Sequence, residues 1–149
     1  MTRTVLTRLG AALTLLLGAT VVAAAPATAA PRQVALLVQY PGGSVRTWCV
    51  PFRSGLTGAD VLAPARPTYG AGPYAGFVLK ITGRGTVPPT ADAYWAYWRS
   101  PTGRRADYAY STGGATTTRP SRGGVEAWVW TTGGTTTFPH RTFTQICGA

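Results

Sequence analysis

The sequence predicts an α+β domain: about six short strands in a mixed or antiparallel sheet, with one short helix inserted after the first hairpin. Three observations lead there. Residues 94–98, Tyr-Trp-Ala-Tyr-Trp, set four aromatics in five positions of a chain that holds 5 Trp, 7 Tyr and 4 Phe. Aromatic side chains favour a pleated, half-buried surface, so this run is a strand. Five further short runs, apolar or alternating, are bounded by Gly- and Pro-rich turns. Only residues 57–65 carry good helix-start signals.

Residues 1–29 read as a secretory signal peptide. Arg3 and Arg8 supply a positive start, residues 11–25 are apolar and rich in Leu and Ala, and Ala27-Thr28-Ala29 is a small-residue cleavage site. The cut is placed after Ala29, because Pro31 would obstruct one after Ala30. No later stretch approaches the roughly 20 apolar residues of a transmembrane helix. The expected mature chain, residues 30–149, has 120 residues, which suits a single domain with one modest core. It is expected to be secreted, free outside the cell or held at the envelope.

Residues 33–40 form an apolar run bounded by Pro31 and Pro41, a buried strand. Pro41-Gly42-Gly43 turns the chain into a second, alternating strand over 44–50, completing a hairpin. Thr57 is the expected N-cap of the helix, with Asp60 three residues on as a shortened capping box, and Pro64 and Pro67 allow about two turns. Strands follow at 77–81, 94–98 and 106–110. The last, at 125–130, turns Val125, Ala127 and Val129 to one face and Glu126, Trp128 and Trp130 to the other. Two similar Thr/Gly stretches, 112–120 and 132–139, read as connections. The only cysteines, Cys49 and Cys147, are expected to form one structural disulfide in an exported chain.

Past the leader, 12 basic residues stand against Asp60, Asp92, Asp107 and Glu126, a net charge of +8. Such a charge attracts anionic polymers or lipid headgroups, while export argues against nucleic acid as a partner. Thirteen of the 14 basic residues in the whole chain are Arg and Asn is absent, a bias that a GC-rich genome also produces.

Little in the sequence suits catalysis. His140 is the only histidine and sits between Pro139 and Arg141, where it is expected to be exposed. There is no nucleophile elbow, and no second histidine or free thiol for a metal site. Asp92 and Asp107 flank the aromatic strand and are the only candidate carboxylate pair of glycosidase type. A non-enzymatic role is expected, with no catalytic residue, metal or required cofactor assigned. Binding has more to work with. Strand alternation puts Tyr94 and Trp98 on one face and Trp95 and Tyr97 on the other. Both faces cannot point inward in a single thin sheet, so one is expected as an exposed aromatic surface.

The order of several motifs resembles the transcobalamin C-terminal-like domain. They are the apolar first strand, Thr57-Gly58-Ala59-Asp60-Val61-Leu62, Phe77-Val78-Leu79-Lys80-Ile81-Thr82-Gly83, Tyr94-Trp95 and Gly124-Val125-Glu126-Ala127-Trp128-Val129. The resemblance spans roughly residues 34–130 and implies a small β-grasp-like fold. It also implies a corrinoid such as cobalamin as ligand, closed against a helical barrel that here would be a separate protein partner. Carried over, Tyr94 and Trp95, with Trp98 nearby, become ligand contacts. Trp128 matches a family position shared with core packing, and Tyr97 joins the set as the remaining aromatic of the central run. The stretch 111–124 is longer than the family's tight turn and carries Arg119 and Arg122. The rival expectation is a cell-envelope module for glycan or anionic wall polymer, using the same aromatics plus Arg99, Arg104, Arg105, Arg119 and Arg122. A secreted protease inhibitor ranks third, since such inhibitors usually rigidify their loop with several disulfides.

Overall fold

The computed structural model describes residues 31–85, 89–133 and 136–148; the expected signal peptide lies outside them. The described strands are β1 (Gln33–Gln39), β2 (Val45–Pro51), β3 (Pro67–Tyr69), β4 (Val78–Ile81), β5 (Ala93–Ser100), β6 (Ala109–Tyr110) and β7 (Val125–Thr132). The helices are α1 (Gly58–Leu62) and α2 (Phe143–Cys147). Five strands make one sheet in the order β2-β1-β7-β5-β6, and β3 pairs with β4 in a second, smaller sheet. β1 and β7 run parallel at the centre of the large sheet, and every other pairing is antiparallel. The α+β class with a mixed, β-grasp-like sheet is therefore the fold of this chain.

Between its terminal glutamines β1 is apolar from Val34 to Val38, because both of its faces are covered there. Val34, Leu36 and Val38 pack with Val61 and Leu62 of α1, while Ala35 and Leu37 pack on the opposite side with Val125, Ala127 and Val129. α1 starts where its capping box says it should. Thr57 Oγ1 accepts from the Asp60 N–H at 3.1 Å, and Asp60 Oδ2 accepts from the Thr57 N–H at 2.8 Å. Those bonds from Thr57, more than the nearby Arg53, hold the Asp60 carboxyl below its ordinary value. The helix tightens into a 3-10 turn at Ala63–Ala65, which contains Pro64.

Three elements differ from expectation. Residues 67–69, where the sequence predicts no strand, form β3, and with it β4 leaves the main sheet. Residues 105–107 are a 3-10 turn, so β6 is only two residues long. A second helix, α2, follows a capping box in which Thr142 Oγ1 accepts from the Gln145 N–H at 3.2 Å. This C-terminal arm corrects the expectation of a bare aromatic face. Phe138, Phe143 and Ile146 pack against the side of the sheet that carries Trp98, while the opposite side, with Trp95 and Tyr97, is covered by α1 and by Val78 and Ile81 of β4. The Cys49–Cys147 disulfide, with Cα atoms 5.5 Å apart, fastens the arm to β2.

Candidate functional site

Register assembles the site. In the β5–β7 pair, Tyr97 lies opposite Trp128 and Trp95 opposite Trp130. Tyr97 and Trp128 stack with ring centres 4.1 Å apart and planes 14° from parallel. Trp95 meets Trp130 edge-on at 5.3 Å and Tyr40 at 5.9 Å. These are mostly buried rings: Trp95 is 7% exposed, Tyr97 8% and Trp128 1%. Their edges nevertheless line a cleft of about 290 Å³ between Gly76–Val78 and the 111–115 loop. Phe77, at the rim, is 60% exposed.

The loop that forms the far wall is held by backbone bonds. Ser111 N–H donates to the Tyr97 carbonyl at 2.8 Å, Gly58 N–H to the Thr118 carbonyl at 3.1 Å, and Ala59 N–H to the Ala115 carbonyl at 2.9 Å. The first two residues of α1 are thus pinned against the cleft wall. Gly58 is required there, because a Cβ would run into the Tyr97 hydroxyl and sit 3.1 Å from the Ala115 carbonyl oxygen.

A buried carboxylate anchors the floor. Glu126 is fully buried and lies opposite Arg99 in register. Arg99 Nε donates to Oε1 at 3.2 Å and Oε2 at 3.1 Å, and the Tyr97 hydroxyl donates to Oε2. Arg99 Nη2 also donates to the Arg119 carbonyl at 2.7 Å, tying β5 to the 111–124 loop. Burial pushes the Glu126 carboxyl above its ordinary value, with Tyr97 and Arg99 offsetting part of that rise. Burial, and then the Glu126 charge, push the Tyr97 hydroxyl far up, so it remains a proton donor to the carboxylate. With no accessible surface, Glu126 positions Tyr97 rather than meeting a ligand.

The five aromatics expected from sequence are thus divided. Trp95, Tyr97 and Trp128 line the cleft, whereas Tyr94 and Trp98 point to the arm side of β5. There Trp98 packs against Tyr110 at 5.5 Å and Phe138 at 5.6 Å. The indole Nε1 atoms of Trp95 and Trp98 are both buried without a hydrogen-bond partner among the described residues. Gly85 closes over the first, since a Cβ there would lie 2.8 Å from Trp95 Nε1. Phe77 and the 111–115 wall were not assigned from sequence. Phe77 reads as the first residue of a strand, yet it stands one residue ahead of β4 and outside the main sheet.

Other candidates are not brought together. Asp92 and Asp107 lie beyond opposite ends of β5, on the order of 25 Å apart for an eight-residue strand, too far for a glycosidase pair. Among the described residues no three His, Cys, Asp or Glu side chains form a group that could hold a metal ion. No helix among them is long and apolar enough to cross a membrane. His140 is exposed and stacks on Tyr108 at 4.7 Å. No protein-family model matches the chain, and no curated protein matches it.

Proposed function

We propose that this chain is a secreted, non-enzymatic binding module that takes the edge of a flat or ring-shaped ligand into the Phe77 cleft. One observation carries this: an exposed aromatic rim stands over three aromatic edges that the β5–β7 register and the Glu126 anchor hold in one arrangement. Aromatic rings with polar tips suit such ligands. The cleft, about 290 Å³, sits at the small end of the range of about 300–1,000 Å³ for ligand pockets, so a ligand as large as a corrinoid would enter it only by an edge. The motif order that resembles the transcobalamin C-terminal-like domain names the most specific version, a corrinoid presented by a separate helical protein.

The test is a fluorescence titration of the mature protein with cobalamin, corrected for ligand absorbance, alone and with candidate helical partners. Truncating Trp95 would leave a large hole in the core, so the informative variant is Phe77→Ser at the exposed rim. Saturable quenching should weaken about tenfold in Phe77→Ser, the scale of one well-placed aromatic contact, and stay unchanged in Tyr69→Ser, an exposed aromatic that does not line the cleft. Absence of quenching in every arm contradicts the corrinoid version.

A further inference from the structure

We infer that the surface around the Arg104-Arg105 turn docks an anionic glycopolymer, a chain that repeats carboxylate, sulfate or phosphate groups. Two hollows adjoin there. One, of about 340 Å³, is lined by Arg105, Pro139, His140, Arg141 and Gln145. The other, of about 460 Å³, holds Arg104 and Arg122 beside Thr102, Thr142 and Thr144. The turn and the start of the C-terminal arm form walls of both, and the Phe143 N–H bond to the Gly103 carbonyl, 2.9 Å, locks these walls together.

Arg104, Arg105, Arg122, His140 and Arg141 are all exposed. The ion pairs found among the described residues, Arg53–Asp60 and Arg99–Glu126, include none of them. Among the described residues Asp107 is the one carboxylate beside this turn, and it accepts a bond from the Thr102 hydroxyl. Two of the guanidinium groups are already oriented: Arg105 Nη2 donates to Gln145 Oε1 at 3.3 Å, and Arg122 lies 4.8 Å over the Phe52 ring. Planar guanidinium forks match carboxylate, sulfate and phosphate oxygens in a two-point grip that a point charge does not make.

The arrangement selects the occupant. Cations placed in two hollows on either side of one turn are served by a repeating chain better than by one small anion. Among the described residues none of the large exposed hydrophobic side chains, Tyr69, Phe77 and Tyr110, lines either hollow. A surface that inserts into a bilayer sets such apolar groups beside its cations, so these hollows offer a membrane electrostatic attraction alone. The surface also shares no lining residue with the Phe77 cleft, so each can fail without the other.

The experiment is heparin binding by titration calorimetry, with vesicles of phosphatidylcholine and phosphatidylglycerol as a parallel arm. Arg105→Ser with Arg141→Ser should weaken heparin binding about tenfold, the sum expected of two solvated ion pairs. Arg46→Ser with Lys80→Ser removes the same charge elsewhere and should stay within about twofold. Arg104→Ser, whose side chain makes no hydrogen bond among the described residues, reports on the second hollow with the least disturbance to folding. Wild-type affinity should fall steeply between about 50 and 200 mM salt as counterions compete. Equal losses in the two double variants, no heparin binding at low salt, or binding to vesicles but not heparin would each overturn the proposal.

Discussion

At the scale of residues, the Tyr97–Glu126–Arg99 group decides how rigid the cleft floor is. Replacing Tyr97 by Phe keeps the ring stacked on Trp128 but removes a donor to a fully buried carboxylate. A buried acceptor left short of a partner costs about 1–3 kcal/mol, which denaturant unfolding should show. The same group sets a pH signature. With its carboxyl raised by burial, folded Glu126 keeps its proton over a window above 4.5 in which the unfolded chain has lost it. The native state then binds more protons, so the Glu126 contribution to stability falls as pH climbs through that window. Asp60 runs the other way: its contribution is present above 3.8 and is lost as pH falls through its lower folded value. At the alkaline end Tyr97 and Tyr108 are both pushed up, chiefly by burial. Unfolding releases their protons above 10.0, so stability should drop there, and Tyr97→Phe should flatten the drop. Melting temperature measured across pH for the wild type, Glu126→Gln and Tyr97→Phe checks all three slopes.

At the scale of elements, the two short helices show what a sequence reveals. Thr57-x-x-Asp60 leads directly into Val61-Leu62, so a cap signal and a buried stripe agree and α1 is readable. Thr142-x-x-Gln145 is an equally good box, but the five residues of α2 are too few to show a helical period. β3 hides for a similar reason, being three residues long and starting at a proline. Thr57→Ala should cost about 1 kcal/mol in thermal unfolding through the lost cap. The arm depends on its staple as well. The disulfide closes a separation of 98 positions, worth about 4–5 kcal/mol of unfolded-chain entropy. The double replacement Cys49→Ser with Cys147→Ser should lower stability on that scale and shift Trp98 emission to the red as the arm loosens.

At the scale of the whole molecule, the aromatic strand, the first hairpin, the Cys pair and the mixed sheet were legible because each rests on local pattern or compartment. Which aromatic face stays open was not. That depends on Phe138, Phe143 and Ile146, some 40 to 50 positions from β5 in the chain, folding back over Trp98. The cleft arises because β4 pairs with β3 and departs from the main sheet, leaving Phe77 at a rim that no linear alternation describes. Arg99 illustrates the same limit. In sequence it belongs with the exposed arginines, but in the fold it is committed to Glu126 and the Arg119 carbonyl. Long-range packing, rather than composition, separates the cation that anchors the core from those that face solvent.

In the proposed function ligand enters on the Trp95 side of β5, and the five Trp indole N–H groups report on that entry directly. Their proton–nitrogen correlation signals, followed during a cobalamin titration with and without a helical partner, separate the two faces of one strand. The predicted result is that the signals of Trp95 and Trp128 move while that of Trp98, beneath the arm, stays in place. Movement of Trp98 with Trp95 unchanged would put the site on the opposite face and overturn binding in the Phe77 cleft.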